Sequence, residues 1–160
     1  MDPIYTTNAE DQAKAAELRA RLANSGASES ETNDDGRWKE IKSVSIDDGA
    51  HKYVLVCATE PFPRETGAEA LTRNFVTSKR GAAYHRNAAE PLVYTLEQHG
   101  FRNIQILGGG RIYCNEDEKK ISIFGYSYSF GQAKHSVSKS VIESDERYSD
   151  YNVSWSNEGY

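Results

Sequence analysis

The sequence predicts a single α+β domain, in which a mixed β-sheet packs against two main helices and an N-terminal extension precedes them. The chain has 160 residues, which suits one domain of ordinary size. After residue 37, apolar runs of strand type and helix type follow one another in mixed order, as is typical of an α+β fold. We therefore predict an extension at 1–36 and a folded domain at 37–160.

The extension is predicted to be a helix followed by a linker. Residues 8–24 favour a helix with Asn8 as its cap, but only Leu18 and Leu22 are large apolar side chains in it. Residues 25–36 contain no large apolar side chain, which indicates a flexible acidic linker. We expect a solvated extension without a catalytic role.

The first half of the folded domain is predicted to contain a central strand and a long helix. HKYVLVCA at 51–58 is rich in β-branched residues and is typical of a buried strand. Two prolines then indicate a loop, and residues 81–99 favour a helix that ends at Gly100. Pro91 should kink that helix or begin a second segment.

The second half is predicted to be mainly strands. NIQIL at 103–107 is a short strand that runs into Gly108, Gly109 and Gly110. RIYC and KKISIFGY alternate on either side of NEDE and predict a hairpin. A short helix capped by Ser138 or Ser140 and a last strand at 151–156 complete the domain.

Composition excludes several classes of protein. The formal net charge is −5, which argues against a nucleic-acid binder. No run approaches the roughly 20 apolar residues of a membrane helix, and the N-terminus lacks the pattern of a secretory signal. Cys57 and Cys114 are too few for a disulfide framework or a four-thiolate zinc site, and the histidines lack an acidic partner at ligand spacing. We expect a cytoplasmic protein, without metal or cofactor.

Among four histidines, His85 is best placed for proton transfer. It lies near the predicted start of the long helix, where the helix dipole disfavours a protonated imidazole and keeps the ring a neutral base. The alternative is a hydrogen-bonded surface histidine. His51 opens a strand, and His99 lies beside the helix end, so both favour a structural interpretation.

Three further features could bind an anion. GYSYSFG at 125–131 places two serines between glycines and could form a nest of amide groups, although it could also be a tyrosine-rich strand end. Arg111 follows the three glycines and could hold a phosphate, although such glycine runs often mark a bulge. Lys52 at the head of the central strand is a fourth basic group, or an ordinary edge lysine.

Taken together, KYVLV, YH, GGGRI, KKI, GYSxxFG and the C-terminal YNVSWSNEGY resemble the phosphohistidine phosphatase family, also called the janus family. The resemblance runs from about Asp47 to Tyr160. It implies one mixed-sheet domain with two helices and a metal-independent protein histidine phosphatase, acting on phosphohistidine-containing proteins, with no nucleic-acid or membrane partner. We expect a monomer.

The resemblance also implies roles for individual residues. His85 matches the essential histidine, Lys52 and Arg111 match basic groups near the phosphate, and His135 matches a second histidine near the pocket. The anion loop would consist of Tyr126, Ser127, Tyr128 and Ser129.

The chain departs from the family pattern at several positions, one of which is Pro91, in a helix that is otherwise continuous. Thr77 and Ser78 stand where an Arg-Gly pair is usual, and Arg86 and Asn87 follow His85 where Ala and Asp are usual. Substrate choice, including phosphohistidine against phospholysine, therefore stays open. So do the role of His85 as base or nucleophile and two other functions, a non-catalytic phosphate-binding module and a developmental adaptor.

Overall fold

The computed structural model describes residues 9–24, 37–61 and 71–158. The predicted linker at 25–36 lies outside these residues. The helices are α1 (Ala9–Asn24), α2 (His85–Gln98) and α3 (His135–Glu143). The strands are β1 (Val44–Ser45), β2 (Gly49–Thr59), β3 (Thr72–Ser78), β4 (Arg102–Asn115), β5 (Lys120–Phe124) and β6 (Asn152–Trp155), with 3₁₀ turns at Arg37–Glu40 and Glu146–Tyr148.

The six strands form one mixed sheet in the order β1-β3-β2-β4-β5-β6. The outer pairs β1–β3 and β5–β6 are parallel, and the pairs between them are antiparallel. The predicted central strand is confirmed as β2, which lies between β3 and β4. The predicted α+β domain is confirmed as well.

The core is divided by the sheet because successive strand residues point to opposite faces. Val54, Val56 and Phe75 pack with α1 and α2 on one face. Tyr53 and Leu55 pack with α3 on the other. Residues of β2 therefore alternate between the two helical layers.

Two strand predictions were incomplete. Residues 72–78 carry no strand prediction, yet β3 lies there and pairs with β2 over seven residues. NIQIL and RIYC were predicted as separate strands, but β4 is one strand that continues through the three glycines. β4 pairs there with β2, which supplies the hydrogen bonds that a glycine run cannot specify by itself.

The helix predictions were right in place and wrong in detail. α2 is continuous across Pro91, whose side chain lies on the exposed face, so no second segment begins there. α3 begins at His135, and Ser138 is buried inside the helix rather than capping it. Its apolar contacts with the sheet, rather than a serine cap, hold this short helix in place.

The expectation of a solvated extension is wrong for α1. Ala15, Leu18 and Leu22 are buried against α2 and the sheet, within the same core cluster. These three side chains lie at i, i+3 and i+7, so they form one continuous face of the helix. Although α1 has few apolar residues, they coincide on the side that meets the domain.

Candidate active site

α2 presents His85 at its first turn. The side-chain oxygen of Asn87 accepts a hydrogen bond from the main-chain amide of Tyr84 at 3.1 Å. The main-chain amide of Asn87 donates to the Tyr84 carbonyl at 3.0 Å. This reciprocal pair fixes the start of the helix. The departure at Asn87 therefore has a structural role, because its side chain holds the turn that carries His85.

The tautomer of His85 follows from the one hydrogen bond that its side chain makes to a described residue. Its side chain is buried, and Nε2 lies 2.8 Å from the carbonyl oxygen of Gly110. A carbonyl can only accept, so Nε2 carries the hydrogen and Nδ1 carries the lone pair. Within 9–24, 37–61 and 71–158, Nδ1 has no hydrogen-bond partner. It is therefore available to accept a proton.

Burial lowers the pKa of His85 to about 4, so the ring is neutral at pH 7. The hydrogen bond to Gly110 opposes this shift, the positive charges of Lys52 and Arg111 add to it, and the negative charge of Asp11 opposes it. His85 is therefore next to cations. The prediction of a neutral ring is consistent with this shift, although burial rather than the helix dipole is its main cause.

Lys52 and Arg111 lie directly opposite each other on β2 and β4. They share a face of the sheet with the pair Val54 and Gly109, because Val54 lies two residues after Lys52 and Gly109 two residues before Arg111. Burial and the nearby charge of Arg111 lower the pKa of Lys52. In the part of the chain that the structure describes, the Lys52 ammonium has neither an ion pair nor a hydrogen bond. Two opposed cations, one without a counter-charge, favour an anionic ligand.

The predicted anion loop is attached to the glycine triplet. The amide of Gly109 donates to the carbonyl of Gly131, and the amide of Ala133 donates to the carbonyl of Gly109, both at 3.0 Å. Ser127 and Gly131 exchange two main-chain hydrogen bonds across the loop. The Ser127 hydroxyl accepts from the Phe130 amide at 3.1 Å, which leaves its own hydrogen to be donated elsewhere.

The other three loop residues have distinct environments. The Tyr126 hydroxyl donates to that of Tyr128 at 3.1 Å, and the rings meet edge to face with Tyr128 partly exposed. The Ser129 hydroxyl donates to the Asp11 carboxylate at 3.2 Å. Its amide makes no hydrogen bond to any residue that the structure describes.

The glycines bring the histidine and the loop together. A Cβ on Gly109 would lie 2.8 Å from Cδ2 of His85, closer than real Cβ contacts allow, and 3.1 Å from Cβ of Ser127, which is tighter than most. The structure thus places His85 and Ser127 on either side of Gly109. The triplet is therefore a place of close approach, and the register shift between β2 and β4 beside Gly108 shows that it also adjoins a bulge.

His135 lies behind the sheet rather than beside His85. A Cβ on Gly110 would lie 2.8 Å from Cε1 of His135, and adjacent strand residues point to opposite faces. Nε2 of His135 donates to the Gly125 carbonyl at 2.8 Å, so its Nδ1 accepts from the Tyr53 hydroxyl at 2.6 Å. Ser138 donates to Tyr53 in turn, at 3.0 Å. His135 thus supports the start of the anion loop from the opposite face.

Replacement of Tyr53 by phenylalanine is expected to destabilise the protein by about 1–3 kcal/mol, because Nδ1 of His135 and the Ser138 hydroxyl would lose a buried partner. Burial raises the pKa of Tyr53, which keeps the hydroxyl protonated as a donor. Urea unfolding of Tyr53→Phe measures the effect. Tyr94→Phe is the control because Tyr94 is 65% exposed. Equal unfolding midpoints for the two variants would contradict the network.

The other residues that depart from the family pattern lie in defined surroundings. Thr77 and Ser78 are buried at the end of β3, paired with β2. Arg80 does not replace the missing arginine, since its guanidinium donates to the Asp48 carbonyl. Arg86 lies 3.0 Å from the Asp11 carboxylate.

Two histidines take structural roles. His51 donates to the Asp48 carbonyl and His99 to that of Thr95. Asp11 was the residue near the site that sequence reasoning missed. Its carboxylate looked like an ordinary charge in the first turn of α1, and no sequence signal connected it with residues more than 70 positions away.

The described residues include no group of three or more acidic, histidine or cysteine side chains that could hold a metal ion. No helix among them is both long and apolar enough to cross a membrane.

Fold and site together define a small α+β protein with a buried neutral histidine beside two sheet cations. The chain belongs to the Janus/Ocnus family, whose sequence model matches residues 38–152. It is 36% identical to the human 14 kDa phosphohistidine phosphatase over 121 residues, which is 75% of this chain and 94% of the relative. The pig protein of the same name is 36% identical over 122 residues, 76% of this chain and 94% of the relative. The sex-regulated protein janus-A of Drosophila melanogaster is 30% identical over 113 residues, which is 71% of this chain and 76% of the relative.

Proposed function

We propose that this chain is a metal-independent protein histidine phosphatase, which hydrolyses the P–N bond of phosphohistidine in protein substrates. The names of the human and pig relatives support the activity and the substrate. The observation that carries the proposal is the half-buried Lys52, opposite Arg111 and without a counter-charge among the described residues, next to the unprotonated Nδ1 of His85.

A phosphoryl group would offset the electrostatic cost of holding the Lys52 ammonium half-buried beside Arg111. Burial and repulsion from Arg111 disfavour the charge of Lys52, and a dianionic phosphoryl group compensates both effects. The Ser127 hydroxyl and the Ser129 amide would donate to its oxygens, in the manner of an anion nest. These groups are fixed before substrate arrives, so they can stabilise charge as it develops on the equatorial oxygens.

His85 would act through Nδ1. As general base it takes a proton from water while the water oxygen bonds to phosphorus and the P–N bond breaks, with its electron pair going to the leaving imidazole. That imidazole takes up a proton from solvent, His85 returns its proton to solvent, and the products are inorganic phosphate and histidine. The bound phosphoryl group raises the pKa of His85 from its low value, which makes the base stronger when substrate is present.

As nucleophile, Nδ1 would instead bond to phosphorus and displace the substrate imidazole, and water would then hydrolyse the resulting phosphohistidine at position 85. Rapid quenching into alkali, in which phosphohistidine survives, separates the two pathways. Labelled phosphate on the protein that disappears in His85→Gln would establish the nucleophilic route. Turnover without label would favour the general base.

A phosphohistidine-binding module without catalysis is the second candidate. It is favoured by the pKa of about 4 for His85, because so weak a base removes a proton from water poorly. The deciding experiment measures phosphate release from a phosphohistidine peptide, with and without EDTA. Release that EDTA does not change supports the phosphatase. Tight binding of the peptide without release would replace the phosphatase by the binding module.

Replacement of Lys52 by methionine is expected to raise the KM for a phosphohistidine peptide about 10- to 100-fold, which corresponds to losing one charge-assisted hydrogen bond. The substrate-free protein should be no less stable than wild type, because the repulsion between Lys52 and Arg111 disappears. Steady-state kinetics and thermal unfolding measure the two effects.

Lys139→Met is the matched control, since Lys139 lies on α3 in an exposed i,i+4 pair with Glu143. It should leave KM unchanged. A Lys52→Met variant with the KM of wild type would show that this ammonium does not bind the phosphoryl group.

A further inference from the structure

α1 joins two parts of the site that are distant in sequence. Oδ1 of Asp11 accepts a hydrogen bond from Nε of Arg86 at 3.0 Å, and Oδ2 accepts from the Ser129 hydroxyl at 3.2 Å. Arg86 follows His85 in α2, and Ser129 lies in the anion loop. One carboxylate therefore connects the segment that carries the base with the loop.

The carboxylate is deeply buried, with Asp11 only 3% exposed. A buried carboxylate is strongly destabilising unless charged and hydrogen-bonding groups surround it, so both partners are needed to keep it there. Arg86 also pairs with Glu90 on α2, whose carboxylate oxygen Oε2 lies 3.1 Å from Nη1 of Arg86. The ion pair is thus part of a network that extends along α2.

A second contact ties α1 to the same loop. Arg19 lies two turns after Asp11, and its guanidinium is 5.7 Å from the centre of the Phe130 ring and within 3.5 Å of the Ser129 carbonyl oxygen. The apolar face of α1 holds the helix against α2 and the sheet. The contacts to the loop therefore come from a docked helix rather than from a single surface pair.

We propose that Asp11 is a positioning residue, which holds the anion loop and the first turn of α2 in fixed relation for phosphoryl binding. The proposal rests on the proposed function and adds to it. We call the contacts of Asp11 with Arg86 and Ser129 the clasp. The family match begins at residue 38, after α1, so Asp11 lies in the N-terminal extension that precedes the match.

The clasp changes how Ser129 can act. Its hydroxyl hydrogen is donated to Asp11, so a phosphoryl oxygen would contact residue 129 through the main-chain amide instead. A loop that is held in place before binding loses less conformational freedom when the phosphoryl group arrives. Loss of the clasp should therefore appear mainly in KM.

The test is a double-mutant cycle in the full chain, with Asp11→Ala, Ser129→Ala and both together. Kinetics with a phosphohistidine peptide give KM and kcat, and amide hydrogen exchange of Phe130 and Gly131 reports the order of the loop. Each single variant should raise KM about 3- to 10-fold with kcat within about twofold, and should accelerate exchange about tenfold. The double variant should be no worse than Asp11→Ala, because both substitutions break one contact.

Glu10→Ala is the control, since Glu10 is the neighbouring carboxylate on α1 and its side chain is 73% exposed. It should match wild type in KM and in exchange. Asp11→Asn retains the shape of the side chain and removes its charge, so it should show an intermediate effect.

Additive increases in KM would overturn the proposal, because Ser129 would then bind the substrate independently of Asp11. Unchanged exchange and KM in Asp11→Ala would overturn it too, by reducing Asp11 to a helix-packing residue. If Asp11→Ala does not fold, Ser129→Ala decides: unchanged hydrogen exchange of the loop in that variant would also overturn the proposal. Wild-type protein without turnover would refute the phosphatase alone, since hydrogen exchange tests the clasp without substrate.

Discussion

Replacement of His85 by glutamine is expected to reduce phosphohistidine hydrolysis about 100- to 10,000-fold, the usual contribution of a general base. The glutamine side-chain amide can still donate to the Gly110 carbonyl, as Nε2 of His85 does, but it offers no basic nitrogen in place of Nδ1. The variant therefore removes the base and retains the hydrogen bond. The loss should fall on kcat, because Lys52, Arg111 and the loop still bind the phosphoryl group.

Circular dichroism and thermal unfolding should show that His85→Gln is folded, and a phosphohistidine peptide should still bind to it. His99→Gln is the matched control, since His99 caps the C-terminus of α2 and its ring donates to the Thr95 carbonyl. It should hydrolyse the peptide at the wild-type rate. A His85→Gln variant as active as wild type would rule out both the general base and the nucleophile.

The central part of the fold was predictable because its signal is local. HKYVLVCA has the continuous apolar pattern of a strand buried on both faces, and β2 lies inside the sheet between β3 and β4. His85 was singled out because it lies near the predicted start of the long helix, four residues after Gly81. The family resemblance supplied the residues around it and is confirmed by the family match.

The missing strand β3 shows where local patterns are insufficient. Its first residues, Thr72, Arg73 and Asn74, are polar, and only Phe75 and Val76 give an apolar signal. The strand exists because β2 offers a full ladder of partners, while Arg73 lies over the Phe75 ring and donates to Ser43. Pairing with a distant segment has no signature in the strand's own sequence.

The clasp could not be predicted for the same reason. Asp11 is separated from Arg86 by 75 positions and from Ser129 by 118. A sparse set of apolar side chains suggested that α1 stays in solvent, yet these side chains share one face of the helix. Whether such a face docks depends on a complementary surface, which only the folded domain provides.

Replacement of Gly109 by alanine is expected to destabilise the protein by about 1–3 kcal/mol and to reduce hydrolysis at least about 100-fold. The added Cβ would lie 2.8 Å from the Tyr53 carbonyl oxygen, in a strand that cannot move easily, and 2.8 Å from Cδ2 of His85. The imidazole must therefore shift, and it would lose its alignment with Gly110 and the anion loop. Urea unfolding and the rate of phosphate release measure the two effects.

Gly81→Ala separates the loss of stability from the loss of alignment. Gly81 has φ of 78°, so alanine is strained there by about 1–2 kcal/mol, but a Cβ would meet no atom within 4 Å. The two variants should therefore be destabilised to a similar degree, and only Gly109→Ala should lose activity. If both retain the wild-type rate, the position of His85 against β4 does not control catalysis. If both lose it equally, general destabilisation rather than displacement of the imidazole explains the effect.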